Sequence, residues 1–350
     1  MRTTAHLYTD PAVFDVLAGE WGLLLRRSVS DTPFLTPAYQ RTWWKHLGAG
    51  DLRVLAVRED GALLGILPLF CSPGEGERVL RIVGCVEVSD YLDFIALPGR
   101  EAEVIATVLD FLQSADAPPW DVLDLCTVPS SSPTLHLLPE QARRLGWECE
   151  VSLHDVCPIV YLPPTWEAYL ASLDRKDRHE LRRKLRRAEA LEGLRWYIVG
   201  PEHNLEAEAK DFLTLMAKSS RAKEAFLTPP MRAFFRELIC AAFAEGWLQL
   251  AFLEWEGTKL SACLNFVYNN RVLVYNSGLD WRADPGLGAG IVLTAYLIRH
   301  AIAEGREAYD FMRGSEDYKY RFGGKDFPVY QILVRRGVVC SPSTKRPSGW

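Results

Sequence analysis

Apolar residues flank a single polar break in "LRVLAVREDGALLGILPLF" (52–70), and the break is Glu59-Asp60-Gly61. That pattern predicts strand, tight turn, strand. "LQLAFLEWEGTKLSACLNFVY" (248–268) repeats the plan, with its turn at Glu256-Gly257. A second pair of segments, "LPGREAEVIATVLDFL" (97–112) and "DPGLGAGIVLTAYLIR" (284–299), aligns at an offset of 187, placing Pro98-Gly99 on Pro285-Gly286. Each pair opens an amphipathic helix, and each helix leads to a further strand, "WDVLDLCTV" (120–128) or "EAYDFMRG" (307–314).

The economical reading is two copies of one mixed α/β unit, fused head to tail. The prolines of "VCPIVYLPPTWEAYL" (156–170) mark the connection. The expected organisation is a first domain over 1–160, a second over 161–338 and a flexible tail over 339–350.

The copies differ at the turn before the helix. The second has Gly286, Gly288 and Gly290 followed by Ile291, whereas the aligned first-copy positions are Gly99, Glu101 and Glu103. Backbone N–H groups of a glycine-rich turn can approach phosphate oxygens, and the helix dipole adds attraction. Two carboxylates at that place repel a phosphate. If one copy binds a phosphorylated cofactor, it is the second. The spacing is not a dinucleotide fingerprint, and G-x-x-x-x-G-K-[ST] does not occur.

Composition then narrows the classes. With 350 residues, 48% hydrophobic and 24% charged, the chain reads as an ordinary globular protein of two domains. The net charge of -5 gives no reason to expect DNA as a partner. Between Arg175 and Arg187, however, eight basic residues stand against Asp177 and Glu180, a local +6 that leaves -11 on the rest. Leu181, Leu185 and Ala188 give this segment a helical apolar face. It is either a solvated charged face or an electrostatic platform for tRNA, an anionic lipid or a nucleotide-sugar. The eight cysteines lie singly, without zinc spacing, so reduced buried thiols and no metal are expected. No signal peptide is read at the N-terminus, and "ALLGILPLFC" is too short to span a bilayer, which points to a cytoplasmic protein without a transmembrane segment. Neither a Ser-His-Asp signature nor G-x-S-x-G supports hydrolase chemistry.

From about Pro33 to Val334 the chain resembles GNAT-fold acetyltransferases of the group associated with cellulose and polysaccharide biosynthesis. The likeness is carried by "VSDYLDF", "YNSGLD", "DFMRG" and "YKYRFG". The tandem arrangement and "RHELRRKLRRAEALEG" also resemble the Fem-type aminoacyl transferases. The resemblance implies two tandem GNAT-like domains, each a mixed, mostly antiparallel sheet flanked by helices, the first degenerate. It implies direct acyl transfer from acetyl-CoA, or another acyl-CoA, to an amine or hydroxyl of a saccharide, nucleotide-sugar or small-molecule acceptor. The alternatives are a Fem-like transferase using aminoacyl-tRNA and a non-catalytic binding module. The pantetheine arm would lie between "RVLVYNSGLD" and "EAYDFMRG", beside Tyr275, Asn276 and Ser277, with the pyrophosphate at Gly286 to Ile291. Asp284 stands where the family signature has Arg or Gln.

Direct transfer needs a base, an acid for the leaving thiolate and a donor to the oxyanion. "YDFMRGSEDYKYRFGG" (309–324) offers Glu316 as base, Tyr318 as acid and Lys319 as oxyanion or phosphate contact. Strand alternation places Asp310, Met312 and Gly314 on one face and Phe311 and Arg313 on the other. Glu316, Lys319 and Tyr320 are expected on one side of a helical turn, with Tyr318 elsewhere. Arg313 could pair an anionic acceptor, and Asp310 could fix a neighbouring loop or contact substrate. Asp90 and Tyr91 of the first copy could form a wall of the acceptor pocket.

Overall fold

The computed structural model describes residues 3–72, 76–85, 88–284 and 286–336, so the expected tail lies outside the described residues. Its strands are β1 Thr3–Tyr8, β2 Asp51–Glu59, β3 Ala62–Cys71, β4 Val79–Ile82, β5 Ile95–Ala96, β6 Val122–Pro129, β7 Glu148–Tyr161, β8 Leu194–Ile198, β9 Leu248–Trp255, β10 Thr258–Tyr268, β11 Arg271–Leu279, β12 Ala308–Asp310 and β13 Lys325–Arg335. They form one sheet in the order β1-β2-β3-β4-β6-β13-β7-β12-β11-β10-β9-β8, with β5 against β3. Both hairpins read from the sequence are present. Asp60 and Gly61, and likewise Glu256 and Gly257, take the paired positive φ that a two-residue turn needs to match strand twist.

Ten helices are used below or frame the sheet: α1 Val13–Val16, α2 Ala18–Leu25, α3 Pro37–Leu47, α4 Glu101–Gln113, α5 Thr134–Arg144, α6 Trp166–Ser172, α7 Arg175–Glu189, α8 Leu205–Ser219, α9 Arg221–Phe226 and α10 Pro229–Ala244. α11 Ala289–Ala303 and α12 Asp317–Arg321 complete the second copy. Their starts follow local chemistry. Thr165, Asn204, Ser220 and Thr228 each accept a backbone N–H three residues on, and Pro229 opens α10 without losing a bond. The basic segment is helix α7, and its Leu181, Leu185 and Ala188 are buried as the spacing required.

The sheet is mixed, its parallel pairs being β4–β6 and β11–β12. The two are counterparts. One runs from Val79↔Val122 to Arg81↔Asp124, the other from Arg271↔Ala308 to Leu273↔Asp310. Soon after each, a residue turns left-handed, Thr127 at φ 57 and Met312 at φ 58. The repeat does not predict how the sheet closes. β13 of the second copy lies between β6 and β7, and β7 of the first copy lies between β13 and β12. Each copy supplies a strand to the other. Along β9, Leu250 and Phe252 enter a core shared with the first copy, while Ala251 and Leu253 enter a second core with α6, α7 and α11. Period-two alternation thus buries both faces of this strand.

Two expectations are corrected. Cys85 and Cys126 form a disulfide, so not all thiols are reduced; Cys71, Cys149, Cys157, Cys240 and Cys263 are free. The strand in "EAYDFMRG" ends at Asp310, and left-handed Met312 breaks the alternation expected as far as Gly314.

Candidate functional site

Beyond Leu273↔Asp310 the strands β11 and β12 part, and the gap is a wedge-shaped cavity of about 240 Å³. Asn276 and Ser277 form one side, Arg313, Glu316 and Tyr318 the other, and Asp90 reaches in from the first copy. The wedge therefore gathers residues far apart in sequence. On β11, Leu264 pairs with Asn276 and Asn265 with Val274, so Tyr275 is bulged out of the ladder. Its ring packs on Phe34, Phe235 and Phe266, and its hydroxyl donates to the Val88 carbonyl at 2.8 Å. Tyr275 thus ties the copies together as well as lining the wedge.

The S-D-Y loop is the other tie. Tyr91, at φ 55, donates to Asp310 Oδ2 at 2.7 Å, and Asp310 Oδ1 accepts the Met312 N–H at 2.8 Å. Burial pushes the Asp310 carboxyl up to about 6, against the pull of these two donors. Tyr91 and Asp310 line a different cavity of about 480 Å³, shared with Asp93, Ser132 and Arg271, and not the wedge. Asp90 does face the wedge. It is 9% exposed, and Arg313 Nε approaches its Oδ1 at 3.3 Å without hydrogen-bond geometry. Burial raises the Asp90 carboxyl, and the Arg313 charge partly offsets this. Arg313 also meets His154 Nε2 at 3.2 Å, so the residue expected to pair an anionic acceptor is already engaged.

Helix α12 departs from expectation. Tyr318 shares the wedge with Glu316, whereas Tyr320 turns away and donates to Asp326 at 2.8 Å. Lys319 is 2% exposed, and its Nζ donates to the carbonyls of Met312, Arg313 and Gly314 at 3.0, 2.8 and 2.9 Å. It also pairs with Glu316 Oε2 at 2.8 Å. An ammonium has three donors, and all three are committed to holding this loop. Burial would raise Glu316, but Lys319 holds its carboxyl below the usual range. Burial and then the Glu316 charge push the Tyr318 phenol up.

Lys223 was not singled out from sequence. Capped by Ser220, α9 aims it at the wedge, where Nζ donates to Asn276 Oδ1 at 3.0 Å and the Ser277 carbonyl at 2.6 Å. Burial pushes its ammonium down. A lone Lys in "SSRAKEAF" carries no signal that it will face this cavity.

The glycine turn is present, with Gly286 and Gly288 at φ 75 and 72. Three of its N–H groups are taken. Asp284 accepts from Leu287 at 2.7 Å, Gly288 at 2.9 Å and Ala289 at 3.0 Å. The wedge suits an acyl group on a thin arm, but a turn that already holds a carboxylate does not fit a diphosphate. Gly290 and Ile291 follow in the first turn of α11, and the hydrogen bonds from Asp284 stop at Ala289. Among the described residues no group of three or more His, Cys, Asp and Glu could hold a metal, and no helix is long and apolar enough to cross a membrane.

Mixed sheet, parting parallel strands and crossover helix, present twice, define the fold as tandem GNAT-like units. Residues 175–320 match the family model described as an acetyltransferase (GNAT) domain. No curated protein sequence matches the chain significantly. Among solved structures the chain is similar to FemX, at 12% identity and TM-score 0.66 over 95% of this chain and 97% of that one. It is similar to L-PGS from Bacillus licheniformis, at 12% identity and TM-score 0.53 over 85% and 91%. A tandem GNAT protein from the clavulanic acid biosynthesis pathway gives 14% identity and TM-score 0.51 over 96% and 99%. At such identities the likeness is one of fold.

Proposed function

We propose that the chain is an acyltransferase that moves an acyl group, acetyl from acetyl-CoA in the first instance, to an amine or hydroxyl of a saccharide, nucleotide-sugar or small-molecule acceptor. The observation that carries this reading is Asp90 Oδ1, a buried carboxylate oxygen without a hydrogen bond at the wall of a wedge that also holds Glu316 and Tyr318. The Arg313 charge at 3.3 Å compensates this oxygen but leaves it one hydrogen bond short, which an acceptor N–H or O–H supplies.

In this scheme Asp90 orients the acceptor, and Glu316, ionised at neutral pH, takes its proton as the nucleophile bonds to the acyl carbon. The Lys223 ammonium, whose third donor meets Ser277 Oγ only at 3.5 Å, stabilises charge on the carbonyl oxygen. Tyr318, kept protonated, gives its proton to the departing sulfur as the carbon–sulfur bond breaks. Lys319 keeps the loop 312–314 in place and is a positioning residue. The division into domains of 1–160 and 161–338 is also our proposal, the first serving as acceptor wall.

Incubation with acetyl-CoA and amino-sugar acceptors should release free thiol, and Glu316→Gln and Tyr318→Phe should each lower the rate about a hundred-fold. Equal rates in wild type and both variants would sink the assignment. A second reading, transfer from an aminoacyl carrier RNA, is favoured by Asp284 in the glycine turn together with the basic face of α7. Release of amino acid from aminoacyl-tRNA to the same acceptors, without thiol release from acetyl-CoA, would decide for it.

A further inference from the structure

A groove of about 340 Å³ runs between α7, α11 and α12. Leu181, Ile291 and Phe322 give it apolar walls, and Lys176, Lys184 and Arg321 stand on its rim. Lys184 Nζ lies 2.6 Å from the place a Cβ on Gly288 would occupy, against the outside of the glycine turn. Its nearest carboxylate is Glu180 at 3.6 Å, and Glu180 is itself held by two hydrogen bonds from Arg183 at 2.8 Å. Asp177 also lines the groove. Lys176 and Arg321 have no ion pair or hydrogen bond among the described residues. Ile291 brings the first turn of α11, the positive end of a 15-residue helix, to the same groove.

We propose that this groove, and not the glycine turn, receives the phosphate groups of the acyl donor's carrier. Asp284 occupies three N–H groups of the turn, and the charge comes from Lys184 beside Gly288 together with Lys176 and Arg321, which line the same groove. Tyr318 and Arg321 sit three residues apart on α12, so a carrier seated in the groove reaches the wedge across one helical turn. The inference rests on the acyl-donor reading above but concerns phosphate chemistry alone, which coenzyme A and the end of an RNA share.

Titration calorimetry of the full chain with coenzyme A, inorganic pyrophosphate and a short single-stranded RNA tests it. The double variant Lys176→Ala, Lys184→Ala should weaken the probe that wild type binds by about ten-fold or more, and Arg321→Ala by about three-fold, with thermal melting as the control for folding. Asp284→Asn should bind as well as wild type or more tightly. The conservative Lys184→Gln, expected to lose about three-fold, keeps the test decisive if the double variant does not fold. The proposal is overturned if wild type binds none of the probes, if the lysine variants bind as wild type does, or if Asp284→Asn loses more than they do. Phosphate binding that depends on the lysines without any acyl transfer would retain the groove and remove the donor reading. Stronger binding of RNA than of coenzyme A would retain the groove and assign it to an RNA-borne carrier.

Discussion

The two parallel ladders have equal length and each is followed by a left-handed residue, yet their gaps are filled in opposite ways. In the first copy the Cys85–Cys126 disulfide, with Cα atoms 6.0 Å apart, spans the gap between the parting chains. Asp124 there is paired with Arg81 at 3.2 Å and bonded by Gln331 at 2.8 Å. Its helix entrance is closed as well, because Arg100 binds Glu103 at 2.5 Å and Glu59 at 3.2 Å. In the second copy the gap stays open, and its counterpart Asp310 is bonded by a tyrosine of the first copy. Packing preserves the architecture in both copies. What fills the gap decides which copy has room for chemistry.

The sharpest way to break this contrast is Lys319→Met, which leaves three carbonyls of the second gap without their donor. At about 1–3 kcal/mol for each buried group left unsatisfied, and with some relaxation, the loss should be about 3–5 kcal/mol by urea unfolding. A loss under about 1 kcal/mol would mean that the loop 312–314 holds its shape unaided.

Next in size is the pH response of Asp310. Its native carboxyl, raised by burial to about 6, holds a proton more tightly than the unfolded chain does, whose carboxylate titrates near 3.9. The stability this adds is complete below about pH 4 and is lost as pH rises through about 6, a change on the order of 2–3 kcal/mol. Asp310→Asn should flatten the fall between those pH values in thermal unfolding. An unchanged profile would show that the Tyr91 bond does not report on this proton.

The smallest effects separate the glycines of the turn. Gly288, at φ 72, should lose about 1–2 kcal/mol on change to Ala, since a Cβ is strained there. Gly290 has no left-handed φ and open space around it, so Gly290→Ala should gain about 0.5–1 kcal/mol. Equal melting shifts for the two would contradict a turn whose shape depends on Gly288.

Local signals in the sequence were sufficient for the hairpins at Asp60-Gly61 and Glu256-Gly257, the helix with Leu181 and Leu185 inward, and the glycine turn. Each is written within a few residues, by side-chain period or by tolerance of positive φ. The same reasoning placed Glu316, Tyr318, Asn276 and Asp90 where one cavity gathers them, through the repeat and the family resemblance. It misjudged Tyr318 against Tyr320, because the loop before α12 is set by Met312 and by Lys319 reaching back to three carbonyls. Lys223, the exchange of β7 and β13, the Asp284 cap and the Cys85–Cys126 link were legible only in the tertiary structure. They join groups through space across a turn or across tens to hundreds of residues, and no periodicity along the chain encodes which distant carbonyl, carboxylate or strand edge a donor will meet.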